Sequence, residues 1–196
     1  TLSFGAASGE LQFRGRQILV NVPSARLYGG TVRLDATVTT GQAGARQKVA
    51  VDLKGVDFET LTRLYFDYQG SKGEVSGRYD FSFVPDDGRQ MRGTGNLLVT
   101  DGNVFAIPVL GLLSILLDAI IPGTGYQTSR KATCDFRVAD GEIRTDNLNV
   151  LGTGFTMIGQ GSLFFLEDRM NFAVRVNAQG VPGLILYPVS KLMEYV

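Results

Sequence analysis

The chain has 196 residues, among them 25 Gly, 12 Phe, 7 Tyr and a single Cys, with no His and no Trp, and its 19 Lys and Arg balance 19 Asp and Glu. That length suits one domain with a sizeable core, and zero net charge without a basic run leaves no electrostatic footprint for nucleic acid. Without His there is no Ser-His-Asp or Cys-His nucleophile and no imidazole metal ligand, while Cys134 alone permits neither an internal disulfide nor a thiolate zinc site. Neither the phosphate-binding GxxxxGK(S/T) pattern nor GxGxxG occurs. No catalytic residue and no cofactor is expected. The chain opens at Thr1 inside an alternating pattern and reads as a piece of a longer protein, with any leader or anchor upstream.

Alternation dominates. Residues 31–39 place Val32, Leu34, Ala36 and Val38 on one side and Arg33, Asp35 and threonines on the other. Residues 48–54 repeat this with Val49, Val51 and Leu53 against Lys48, Asp52 and Lys54. A helix follows over residues 57–66, where Phe58, Leu61, Leu64 and Tyr65 have helical spacing and Asp57 stands as N-cap. Residues 74–83 return to period two, with Val75, Tyr79, Phe81 and Phe83 opposite Ser76, Arg78, Asp80 and Ser82.

Residues 108–121 are largely apolar, with Asp118 the only charge, and read as a second helix, too short for a membrane span. Burial against the sheet is the preferred reading, and an interfacial helix touching a bilayer is the alternative. Strands resume at 132–138 (Cys134, Phe136 and Val138 on one side), 143–151, 155–166 and 170–176 (Met170, Phe172, Val174 and Val176 on one side). Asp101-Gly102 and Asp140-Gly141 are placed as two-residue hairpin turns, and Gly29-Gly30, 41–44, 86–88 and 152–154 as further links. Pro188 opens a third expected helix carrying Val189, Leu192, Met193 and Val196.

One greasy and one wet face per strand argues for an antiparallel sheet. The expected fold is therefore mainly β, a single domain over residues 1–196: a long antiparallel meander curled into an apolar groove and covered by about three short helices. Such a sheet exceeds what its helices can cover. It must close, pair with another sheet, or hold something apolar.

The order of several short motifs resembles the AsmA-like C-terminal region. Residues 93–113 (GTGNLLVTDGNVFAIPVLGLL) give a glycine-led strand, a D-G turn and an apolar I-P-x-L segment. Then come 136–143 (FRVADGEI), 148–155 (LNVLGTGF), 159–163 (GQGSL) and 170–176 (MNFAVRV), with 21–30 (NVPSARLYGG) similar to the family's upstream strand turn. The resemblance implies a non-enzymatic periplasmic module of a Gram-negative envelope protein. It would be tethered to the inner membrane by an N-terminal anchor outside this chain. An apolar β-groove there would carry phospholipid or other acyl lipid toward the outer membrane. On that footing Val75, Tyr79, Phe81, Phe83, Phe136, Val138, Phe172 and Val174 form the inner wall. Val109, Leu113, Leu116 and Ile120 lie on a helix that plugs or gates one end. Each residue taken singly also reads as ordinary core. The membrane surface and outer-membrane proteins are further expected partners, the latter in the competing reading, where an exposed sheet edge binds client strands during outer-membrane assembly.

Overall fold

The computed structural model describes residues 5, 7–41, 44–67, 69, 71–104, 129–167, 169–178 and 181–192. The described residues form eleven strands and one helix: β1 (Ala7–Arg14), β2 (Gln17–Leu27), β3 (Gly30–Thr39), β4 (Gln47–Asp57), α1 (Phe58–Phe66), β5 (Glu74–Val84), β6 (Asp87–Thr100), β7 (Ser129–Ala139), β8 (Glu142–Gly152), β9 (Phe155–Phe164), β10 (Arg169–Ala178) and β11 (Val181–Leu192). All these strands lie in one sheet in sequence order, each antiparallel to the next, with β1 and β11 as its two edges among the described residues. The expected meander is present.

The register sorts the side chains into two faces. Residues paired across an antiparallel ladder point the same way. One line crosses the sheet as Val20, Ala36, Val49, Phe81, Gly93, Val138, Ile143, Leu163 and Met170. A parallel line runs Val22, Leu34, Val51, Tyr79, Gly95, Phe136. Both carry only apolar residues and glycine. The alternate positions, on the opposite face, carry Arg33, Asp35, Asp52, Arg78, Asp80, Arg137 and Arg144. Every hydrophobic pattern read along a single strand thus merges into one apolar face shared by the whole sheet.

One end of that face is sealed. Val75, Val99, Ala132, Val150, Met157 and Val176 line up across β5 to β10 and are all buried. Phe58 at the start of α1 packs into the same cluster, together with Val104 and Phe155. Ala25, Leu27, Val32 and Val56 make a second, smaller cluster, and Leu61 of α1 touches both. The helix forms where expected because Asp57 Oδ1 accepts the Thr60 N–H at 2.7 Å and satisfies one of its orphan donors. It ends at Asp67, whose φ of 50° turns the chain left-handed while its N–H reaches back to the Thr62 carbonyl. Only its inner side is apolar contact: Leu64 and Tyr65 face solvent.

Three expectations need correction. The sheet has one helix among its described residues rather than three. Residues 108–121 lie outside the described residues, and residues 188–192 continue β11 instead of starting a helix, with Val189 opposite Phe172 and Leu192 opposite Arg169. The physical reason is local. Pro188 sits at a register shift, where Val174 pairs with Leu186 and Phe172 with Val189, so two residues of β11 oppose one of β10. A bulge on an edge strand is where a residue without an N–H is tolerated. Second, Asp101-Gly102 is not a two-residue hairpin turn. Asp101 has the expected positive φ of 51°, but its N–H donates to the Arg130 carbonyl, and β6 pairs with β7 across residues 101–128. Asp140-Gly141 does make the expected hairpin, at φ 53° and 81°. Third, the link expected at Gly29-Gly30 turns on Tyr28-Gly29, with φ 43° and 81°, and Gly30 already begins β3.

Candidate apolar site on the sheet

The residues expected to form an inner wall share one face, as the register requires, but not one environment. Tyr79, Phe81 and Phe83 project from β5 and Phe136 and Val138 from β7, on either side of β6. At the facing positions β6 carries Gly93 and Gly95. These glycines leave a shallow column with no side chains, and the neighbouring rings lean into it. Tyr79 and Phe136 have ring centroids 6.0 Å apart, and Phe81 lies 6.4 Å from each. A Cβ on Gly95 would stand 2.5 Å from Phe136 Cζ and 2.8 Å from Tyr79 Cδ1, closer than packed atoms approach. Glycine here is a requirement of ring packing, since its backbone torsions are ordinary.

Tyr79, Phe81, Phe83 and Phe136 are half-buried. Val75, Val138, Phe172 and Val174 are fully buried, and all but Val138 belong to the core cluster that includes Phe58. Phe172 lies over Gly161 of β9, the same glycine-under-ring device repeated. Val109, Leu113, Leu116 and Ile120 fall outside the described residues. The structure therefore separates an aromatic patch with access to solvent from the buried Val75, Phe172 and Val174 that help hold the sheet's sealed end together.

Sequence reasoning missed the part of this patch supplied by the N-terminal strands. Ile18, Val20 and Val22 of β2, Leu34 and Ala36 of β3 and Val49, Val51 and Leu53 of β4 continue the half-buried surface beside Tyr79 and Phe81. Beyond them Leu11 and Phe13 of β1 are 63% and 74% exposed. The alternation in β3 and β4 announced a greasy face. Only the register joins it to the aromatics of β5.

The patch is uncharged and poor in water-binding groups. Burial pushes the Tyr79 hydroxyl up to about 12, with the neighbouring Cys134 adding to the shift. Burial, and then the charge of Asp135, pushes the Cys134 thiol up to about 11. Both stay neutral at ordinary pH, and Cys134 behaves as a small hydrophobe.

The wet face is organised differently. Arg33 pairs with Asp35 at 3.5 Å, Arg78 with Asp80 at 3.4 Å and Arg144 with Asp146 at 3.4 Å, each along its own strand and each exposed. Between two rows of these side chains runs a furrow of about 680 Å³ from Gln12 and Leu19 through Thr37 and Lys48 to Ser82 and Arg92. A second, of about 570 Å³, lies between Arg78 and Asn147. Opposite charges are interleaved throughout, so neither furrow concentrates one sign. Asp86, with φ 63°, sits in the β5–β6 turn and Asp87 opens β6, where the Gln90 side chain's hydrogen bond holds its carboxyl below the ordinary range. This pair serves as turn chemistry, facing solvent. Asp140 is engaged by Arg92 at 2.7 Å. Among the described residues no group of three His, Cys, Asp or Glu converges to hold a metal, and no helix is long and apolar enough to cross a membrane. The chain matches no protein-family model, no curated protein and no solved structure.

Proposed function

We propose that this chain is a non-enzymatic lipid-binding module whose open sheet holds acyl chains against its apolar face. The observation that carries the reading is the apolar register running from β1 to β10, one end of which is buried in the core that Phe58 of α1 joins while the stretch around Tyr79, Phe81, Phe83 and Phe136 keeps access to solvent. An acyl tail of about fifteen methylenes costs on the order of 12 kcal/mol to leave in water, at ~0.8 kcal/mol per CH₂. An apolar wall offsets that without hydrogen-bonding chemistry, and the uncharged rows on this face offer none. Headgroups would remain at the solvent side.

In keeping with the AsmA-like motif order, the setting proposed is the periplasm of a Gram-negative envelope. There the module, tethered to the inner membrane, would pass phospholipid toward the outer membrane. A second reading, a factor that pairs client strands of outer-membrane proteins, is favoured by one specific observation: β1 is exposed along its whole length and its outer edge is unpaired among the described residues.

The test is uptake of a fluorescent phospholipid by the purified chain, with lipid extracted from the same preparation analysed by mass spectrometry. Binding that is weakened by Phe81→Asp and unaffected by Asp80→Asn, its neighbour on the opposite face, supports the reading. Absence of both uptake and co-purified lipid removes it. Capture of an unstructured outer-membrane β-hairpin that is blocked by proline in β1 would favour the second reading instead.

A further inference from the structure

The open edge at β1 has a property that the lipid reading does not use. Its outward-facing sequence is complementary to itself. The two-residue turn at Gly15-Arg16 makes Arg14 and Gln17 a hydrogen-bonded pair of the β1–β2 ladder. Alternation then directs the backbone groups of Arg14, Gln12 and Glu10 toward β2. Those of Phe13 and Leu11 point away from the sheet, where no described strand pairs with them. Long, exposed and apolar edges of this kind are normally blunted by proline, by lysine or by a covering element. Residues 10–14 carry neither proline nor lysine and lie on the turn side of the bulge between Ser8 and Glu10, no described element covers them, and every residue of β1 is exposed.

Consider a second copy laid antiparallel along this edge, with Gln12 opposite the partner's Gln12 on the two-fold axis. Leu11 then falls opposite the partner's Phe13, twice by symmetry, and these are the residues whose N–H and C=O groups are free to pair. Glu10 falls opposite the partner's Arg14, also twice. All the apolar residues meet on one face and all the charged ones on the other. Neighbouring registers lose this match. Centring on Leu11 sets Glu10 against the partner's Gln12, and centring on Phe13 sets Arg14 against it. In the single chain Glu10 takes no part in the five ion pairs found among the described residues, and Arg14 lies along its own strand with its guanidinium donating to Gln12 Oε1 at 2.9 Å. Both are available for a partner.

We infer that β1 is a homodimerisation edge, on which two copies of this chain pair β1 to β1 about a two-fold axis through Gln12, held by the Glu10–Arg14 and Leu11–Phe13 contacts. A two-fold axis perpendicular to the sheet is the isologous arrangement expected of a symmetric dimer. It leaves the apolar faces of the two copies on the same side. The exposed Leu11 and Phe13 become interior members of one sheet of double width, and the apolar surface runs unbroken from one copy to the next.

Sedimentation velocity over a concentration series tests this with charge-swapped variants, far-UV circular dichroism confirming that each is folded. The wild-type chain is expected to dimerise. Glu10→Arg and Arg14→Glu each convert both cross-strand charge pairs to like-charge pairs, and each is expected to weaken association about tenfold or more. An equimolar mixture of the two single variants restores opposite charges across the axis and is expected to give a heterodimer. The double variant E10R/R14E should again self-associate. A wild-type chain that remains monomeric overturns the inference. So does a dimer that Glu10→Arg leaves intact, because association then uses another surface, and so does a mixture that stays monomeric. None of these readouts depends on lipid, so the dimer and the lipid reading stand or fall separately.

Discussion

Gly95→Ala is the sharpest probe of how the aromatic patch is built. Replacing a strand glycine by alanine on its own would stabilise the chain by roughly 0.5–1 kcal/mol through reduced backbone entropy. Here the added methyl would stand 2.5 Å from Phe136 Cζ and 2.8 Å from Tyr79 Cδ1. Forcing such contacts open costs about 1–3 kcal/mol, so overpacking wins and a net loss of about 1–2 kcal/mol is expected. The partner substitution, Phe136→Ala, removes a half-buried ring and should cost less than the ~3–5 kcal/mol of a fully enclosed phenylalanine. With Phe136 gone, the Tyr79 ring can tilt into the vacated space. In that background Gly95→Ala should become neutral or mildly stabilising. Urea unfolding followed by far-UV circular dichroism gives all four corners of the cycle, and a coupling of at least about 1 kcal/mol is expected. Additivity within about 0.5 kcal/mol would refute the idea that these rings require a glycine beneath them.

Asp57→Ala should destabilise the chain by about 1 kcal/mol through loss of the α1 cap, and Asp57→Asn by much less, as read from urea midpoints. Stability should also depend on pH at the alkaline end. The Cys134 thiol and Tyr79 hydroxyl are held neutral up to about 11 and about 12 when folded, whereas the unfolded chain ionises them near about 8.5 and about 10. The stabilisation is therefore complete below about pH 8.5 and is lost as pH rises from there through about 11 and 12. Cys134→Ala should flatten the first part of that decline; an unchanged slope would remove Cys134 as its cause. In the folded chain at pH 8 Cys134 should react with a maleimide far more slowly than after unfolding in urea.

The alternation at Val32 to Val38, at Val49 to Leu53 and at Tyr79 to Phe83 was enough to read a one-sided antiparallel sheet, because a period of two is a local property of the backbone. The cap at Asp57 was legible for the same reason. The C-terminal strand was not. Val189 and Leu192 have a spacing that suits a helix, and only pairing with Phe172 and Arg169 of β10, through a bulge at Pro188, decides for a strand. Among the described candidate site residues the alternation placed each on a face, but their depth depends on contacts remote in sequence. Phe58 of α1 joins Val75, Phe172 and Val174 in one core, while no described element closes over Phe81 to the same degree. The glycine column at Gly93 and Gly95 was visible as a motif, yet its use emerges only when register sets it between Phe81, Tyr79 and Phe136. The self-complementary run from Glu10 to Arg14 carries no signal until the sheet places it at an edge.

The measurement closest to the central claim is site-specific photo-crosslinking of an acyl-labelled phospholipid. A photoreactive phenylalanine analogue at Phe81 or Phe83, on the apolar face, should yield lipid adducts. The same analogue at Asp80 or Ser82, one residue away on the same strand but on the wet face, should yield none. Equal labelling from both faces, or no adduct from either, would contradict an acyl-holding sheet.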